Sequence, residues 1–156
     1  MSLIKFSSLR IQFSLLALFF AGILSAQSFK IAFDHTAVQS SNLEKSAEFY
    51  RDILQLEEIP TPADNPKLRW FSIGDNHQLH LIDAENEKVN PQHKAVHFSL
   101  HVDNLDNFIK YIESKGVDYI NWVGDSKSPS IRPDGVKQVY VKDPDGYWIE
   151  INDATY

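Results

Sequence analysis

Downstream of Phe29 the hydrophobic pattern switches between a strand period and a helix period, and the whole sequence of switches occurs twice. The stretch 29–38 is rich in β-favouring residues. Leu43, Ala47, Tyr50 and Leu54 then recur at helical spacing behind Ser41 and Glu44, which predicts a helix opened by a capping box with Ser41 as its N-cap. Three short segments follow, 56–59, 68–73 and 78–83, separated by Pro60, Pro62, Pro66 and the breaker Gly74-Asp75-Asn76. The unit reads βαβββ.

In the second pass Val96, Phe98, Leu100 and Val102 alternate with His97, Ser99 and His101, predicting a half-buried strand with His97 on the face away from the core. Asp103 is the expected cap of a helix whose Leu105, Phe108, Ile109 and Ile112 form one apolar stripe, stopped by Lys115-Gly116. Strands are predicted over 117–123, 138–142 and 147–152. A polar, Pro-containing loop fills 124–136, and Asp143-Pro-Asp-Gly146 is a tight turn between the last two strands. The copies are related by an offset of 62: His35-Thr-Ala-Val38 and Asn42-Leu43 return as His97-Phe-Ser-Leu100 and Asn104-Leu105, and Phe49 returns as Tyr111. No low-complexity linker separates them, so modules of about 29–83 and 95–153 are expected to pack as one domain.

The chain of 156 residues has no cysteine, which removes disulfides, thiolate catalysis and cysteine-held zinc or iron–sulfur centres. Any metal must be held by histidine and carboxylate. A formal charge of −6 excludes a phosphate-backbone reader built on clustered Lys and Arg, so no nucleic-acid partner is expected. Ahead of the repeat, Lys5 and Arg10 precede an almost uniformly apolar run, 11–26, that ends in Ser25-Ala26. This reads as a secretory leader, residues 1–26, cleaved near Ala26 to leave 27–156 as a periplasmic or secreted domain with no stable membrane insertion. The run is shorter than the roughly 20 residues a membrane-spanning helix needs.

Several segments together resemble the vicinal oxygen chelate superfamily, which groups glyoxalase, bleomycin-resistance and extradiol-dioxygenase proteins. They are Asp34-His35-Thr-Ala-Val38; Asn42 to Leu54; Gln78-Leu-His-Leu-Ile82; Val96-His-Phe-Ser-Leu-His-Val-Asp-Asn-Leu105; and Val141-Lys-Asp-Pro-Asp-Gly-Tyr-Trp-Ile-Glu-Ile151. The resemblance implies an α+β fold in which the two βαβββ modules form a curved, mixed eight-stranded sheet with helices on its outer face. It places metal ligands at His35, His80, His97 and Glu150, with a small-molecule substrate and a homodimer as partners. Three imidazoles and a carboxylate suit Zn²⁺, Ni²⁺, Co²⁺, Mn²⁺ or Fe²⁺ better than Mg²⁺ or Ca²⁺.

The implied activity is that of a metal-dependent, glyoxalase I-like lyase or isomerase. A divalent ion would bind vicinal substrate oxygens and stabilise an enediolate or oxyanion, with Glu150 as both ligand and proton carrier. His80 departs from the carboxylate common at that position in glyoxalase I. The other reading the resemblance allows is a metal-free dimeric protein that sequesters a small molecule or drug. His77, His93 and His101 are expected to be solvated. Trp70, Trp122 and Trp148 are expected in core or pocket wall, Trp148 sharing the face of Glu150, and Arg69, Arg132 and Lys137 are expected as exposed cations.

Overall fold

The computed structural model describes residues 29–90, 92–124 and 127–155. The chain divides into two units, Met1–Ala32 and Phe33–Tyr156. The expected leader lies outside the described residues, and among the described residues no helix is long and apolar enough to cross a membrane. The second unit carries the elements of both copies.

The first copy comprises β1 (His35–Ser40), α1 (Leu43–Glu48), β2 (Glu58–Ile59), β3 (Leu68–Ser72) and β4 (Gln78–Asp83). β1 starts later than the β-rich stretch suggests because a strand extends only as far as its partner. It pairs in parallel with β4, from His35 opposite Gln78 to Ser40 opposite Asp83. α1 runs on into a π-type turn, Phe49–Ile53, in which Leu54 N–H reaches back five residues to Phe49 O at 3.0 Å. The second copy comprises β5 (Phe98–His101), α2 (Leu105–Ser114), β6 (Tyr119–Ile120), β7 (Ser130–Ile131), β8 (Lys137–Lys142) and β9 (Trp148–Asn152). β7 forms inside the expected loop, and β6 is two residues where a longer strand was expected.

Both helices begin one residue later than the sequence suggests. Asn42 and Asn104 are the N-caps, with φ of −146° and −145°. Their side-chain oxygens accept from Lys45 N–H at 3.1 Å and Asn107 N–H at 2.9 Å. Ser41 is thereby released for another partner.

The strands form two sheets, ordered β1-β4-β3-β2 and β5-β9-β8-β6, with β7 added beside β8. The α+β class and the two modules are as expected. The single continuous sheet is not, since among the described residues β1 pairs only with β4 and β5 only with β9, each leaving an edge unpaired. One face of each sheet builds the core: Val38, Phe71, Leu79 and Leu81 from the first, Val139, Val141, Ile149 and Ile151 from the second. These join Ala47, Tyr50, Leu105, Ile109 and Ile112 from the helical segments in one continuous cluster.

The turn between β8 and β9 ties the modules together. Gly146 takes φ +90°, a left-handed conformation that glycine adopts without steric cost, and its N–H closes the turn onto Asp143 O. Asp145 Oδ1 accepts from the Ser41 N–H at 3.0 Å and from the Ser41 hydroxyl, while Oδ2 accepts from Ser46 Oγ at 2.9 Å. Asp143 accepts from the Tyr50 hydroxyl at 2.8 Å. Burial raises the Asp143 pKa, against the opposing effect of that hydroxyl, and also holds the Tyr50 pKa well above the phenol range.

Removing the hydroxyl strands a buried acceptor, so Tyr50→Phe should cost about 1–3 kcal/mol in denaturant unfolding. Asn42→Ala and Asn104→Ala should each cost about 1 kcal/mol through loss of the cap.

Candidate metal centre

The faces turned away from the core carry the chemistry. In the first sheet the registers His35 opposite Gln78 and Trp70 opposite His80 put these four side chains on one face. They form a stack. Trp70 and His80 rings lie 3.9 Å apart at 6°, and His80 and His35 rings 4.2 Å apart at 19°. His35 Nδ1 stands 2.6 Å from Asp34 Oδ2. A carboxylate only accepts, so Nδ1 carries a proton and Nε2 is the nitrogen left for a metal. The same hydrogen bond is the main reason that the Asp34 pKa is lowered. His80 Nε2 stands 2.8 Å from Gln78 Oε1, and ligation through that atom requires the contact to open. Burial first, and the neighbouring His35 second, lower the His80 pKa, favouring the neutral ring that a metal needs.

In the second sheet Tyr140 lies opposite Glu150, and Ser99 opposite Glu150 on the other side. The Glu150 side chain is 7% exposed. Its Oε2 accepts from the Tyr140 hydroxyl at 2.6 Å and its Oε1 from Asn152 Nδ2 at 2.8 Å and Ser99 Oγ at 3.3 Å. Arg132 Nη1 lies 3.7 Å from Oε1. Burial pushes the Glu150 pKa up, but the Tyr140, Asn152, His97 and Ser99 interactions outweigh it and the net shift is downward. Tyr140 pays the opposite way: burial first and the carboxylate second raise its pKa.

His97 immediately precedes β5, and its Nε2 lies 3.3 Å from Glu150 Oε2. Its Nδ1 stands 2.7 Å from Lys94 O. A carbonyl also only accepts, so the Nδ1–H of His35 is repeated at His97, with Nε2 on the side of Glu150. Two ligands of a tetrahedral ion with bonds near 2.0–2.2 Å are about 3.4 Å apart, close to the His97–Glu150 spacing. A carboxylate with a lowered pKa and imidazoles held through Nδ1 are the donor types a divalent ion takes, and these residues fit one.

Within one chain the four candidates stand as two pairs, His35 with His80 and His97 with Glu150. Among the described residues no group of three or more His, Asp or Glu side chains converges in a metal-binding cluster. Two buried polar atoms have no hydrogen-bond partner among the described residues, Trp70 Nε1 and Gln138 Oε1, and both residues lie on these outward faces.

The remaining candidates divide. His101 is exposed and, with Ser99 and Asn152, borders a 480 Å³ cavity against Leu54 and Phe108 that includes none of the four. His93 is exposed and accepts from Ala95 N–H, and His77 is only partly exposed, edge-on to Phe33. Arg69 bridges Glu44 and Glu58, and Lys137 lies 3.7 Å from Asp106. Arg132 is bonded to Asp134 as well as facing Glu150, and with Trp122, Ile131 and Tyr140 it lines a 440 Å³ cavity. Trp148 shares the Glu150 face, as expected from alternation.

Sequence reasoning missed Tyr140, Ser99 and Asn152. Alternation places Ser99 two residues from His97 and Asn152 two from Glu150, and the turn at 143–146 sets Tyr140 opposite Glu150. The same alternation places Gln78 two residues from His80, whereas Lys94 carried no such signal.

Residues 32–151 match the family model of the Glyoxalase/Bleomycin resistance protein/Dioxygenase superfamily. The chain belongs to this superfamily. A manganese-dependent 2,3-dihydroxybiphenyl 1,2-dioxygenase of Geobacillus genomosp. 3 is 30% identical over 121 residues; the match covers 76% of this chain but only 35% of that enzyme. A metallothiol transferase FosB of Shouchella clausii is 25% identical, with 78% of this chain and 80% of the relative covered. Among solved structures, a glyoxalase family protein of Bacillus anthracis aligns with a TM-score of 0.66 at 28% identity, covering 83% of this chain and 99% of that one. The superfamily thus includes metal-dependent enzymes, and this chain carries its glyoxalase fold.

The pKa shifts fix two pH windows. Glu150 has a folded pKa below its ordinary 4.5, so its contribution is complete above that value and is lost as pH falls through the folded pKa. His80 has a folded pKa below 6.5, so the unfolded chain gains the proton first and stability declines as pH falls below 6.5 toward the folded value. Denaturant unfolding from pH 8 to 3 should show both slopes, with His80→Phe flattening the upper and Glu150→Gln the lower.

Proposed function

We propose that the chain is a metal-dependent enzyme acting on a small molecule with two neighbouring oxygens, and that His35, His80, His97 and Glu150 hold one divalent ion. The observation that carries this reading is the shared ring orientation at His35 and His97. Both repeat copies hold Nδ1 against an acceptor, Asp34 Oδ2 in one and Lys94 O in the other, and leave Nε2 as the nitrogen available to a metal, as ligating histidines are usually held. Bound there, a divalent ion of the Zn, Ni, Co, Mn or Fe type supplies Lewis-acid stabilisation of negative charge developing on the substrate oxygens.

The chain's own groups set the rest. Tyr140, Asn152 and Ser99 keep Glu150 ionised and fixed in orientation. Its low pKa makes it a weak base, better suited to holding charge than to drawing a proton from carbon. A proton shuttle between two carboxylates lacks its second member, because His80 stands in that position. Lactoylglutathione formation is therefore expected only from His80→Glu, and its appearance in the parent would overturn this choice of chemistry. Trp122, Ile131 and Arg132 offer an apolar wall with a guanidinium beside Glu150.

Because one chain supplies the ligands only as two pairs, the reading includes a homodimer in which the first pair of one copy meets the second pair of the other. The edges of β1 and β5, unpaired among the described residues, support a second copy against them. Export is part of the proposal, supported by the leader-like segment 1–26, and mature protein should begin near Gln27 when sequenced.

Metal content of untagged protein purified without chelator tests the centre, and near-zero content would favour the sequestering reading. Coexpression tests its assembly. A chain carrying His35→Ala and His80→Ala, mixed with one carrying His97→Ala and Glu150→Gln, should regain about one ion per mixed dimer although neither binds alone. No recovery would place all four ligands within one chain.

A further inference from the structure

We infer that Lys94 is the positioning residue for His97, fixing both the place of its ring and the nitrogen that carries its proton. The inference rests on His97 being a ligand of the proposed centre. It starts from a difference between the repeat copies. His35 is oriented by the side chain next to it, the Asp34 carboxylate. The residue next to His97 is Val96, which has no acceptor in its side chain and is 61% exposed. The acceptor is instead the backbone carbonyl of Lys94, three residues away.

A backbone acceptor is only as fixed as its segment. Residues 92–97 form neither helix nor strand, and Ala95 and Val96 point to solvent, so apolar burial does not hold this strap. Its turn closes locally, through Val96 N–H to His93 O and Ala95 N–H to His93 Nδ1. The tie to the sheet is the Lys94 side chain. Its ammonium donates to Asn121 O at 3.0 Å and to Trp122 O. It also lies 5.3 Å from the ring centres of Trp122 and Tyr140 and 5.9 Å from that of Trp148, within the range of cation–π attraction.

Tyr140 closes the circuit. One ring receives the Lys94 ammonium over its face, meets His97 edge-on at 5.2 Å, and gives its hydroxyl to Glu150. Lys94 thus holds His97 from both ends, through its carbonyl on Nδ1 and through its ammonium on the loop and rings behind the ligand pair. Without the ammonium the carbonyl is free to leave Nδ1, and Glu150 Oε2, 3.3 Å from Nε2, becomes the acceptor that draws the proton to the ligating nitrogen.

The test is long-range ¹H–¹⁵N correlation of the imidazoles in full-length, metal-free protein at pH 8, above the ordinary histidine range, with His97 assigned by its loss in His97→Asn. Wild type should show His97 protonated at Nδ1 alone. Lys94→Met should move the Nε2 resonance toward the protonated range and weaken Co²⁺ binding by about 10–100-fold, the usual cost of losing a histidine's orienting partner. Lys94→Arg, which can still donate to both carbonyls and stack on the rings, should restore both. If Lys94→Met does not fold, Lys94→Gln is scored by the same shift. An unchanged His97 tautomer in the folded variant overturns the inference, whatever happens to the melting temperature. Failure of wild type to bind Co²⁺ would count against the proposed centre, while the tautomer would still decide the role of Lys94.

Discussion

An ionised carboxylate buried in a sheet face is the constraint around which the second module is arranged. Taking one such group out of water costs several kcal/mol unless donors replace the solvent. Glu150 draws them from separate parts of the chain: Tyr140 on β8, Asn152 on its own strand, Ser99 on β5, with Arg132 approaching from outside the strands. A slip of one residue between β8 and β9 would turn Tyr140 to the opposite face and leave the carboxylate without its closest donor. The register of three strands and the ionisation of one side chain are the same requirement.

That requirement reaches the first module through the turn at 143–146. The turn sets the β8–β9 register, and its two aspartates take Ser41, Ser46 and Tyr50 from the start and middle of the first helical segment. Pairing of the modules and placement of Glu150 therefore share one hairpin. A change there would disturb module packing and the candidate centre together.

The two ligand pairs differ in firmness. His97 and Glu150 have side chains 21% and 7% exposed, held by strands, a strap and an aromatic cluster. His35 is 43% exposed and is oriented by an aspartate that is itself 87% exposed. The second pair is preorganised, whereas the first is open to solvent and to whatever meets that face. In the proposed dimer, the buried pair would anchor the ion and the exposed pair would complete its shell.

The sequence alone determined the two βαβββ copies, apart from the two-residue β7 inside the expected loop, because hydrophobic period and turn residues are local properties. It also determined which faces His80, His97 and Glu150 occupy, because alternation along a strand needs no knowledge of its neighbours. The helix caps came within one residue: Ser41 and Asn42 are both good caps by composition, and only the long-range bond from Ser41 to Asp145 distinguishes them. Tyr140, Ser99 and Asn152 were legible in principle from the turn and the strand period. Lys94 was not. Its role depends on Asn121, Trp122, Tyr140 and Trp148, brought around its ammonium from two strands and a loop far along the chain. Tertiary structure also decided that the strands form two sheets and that one chain presents its candidate ligands in two pairs. Edge pairing and convergence are relations between distant segments, which no local pattern encodes.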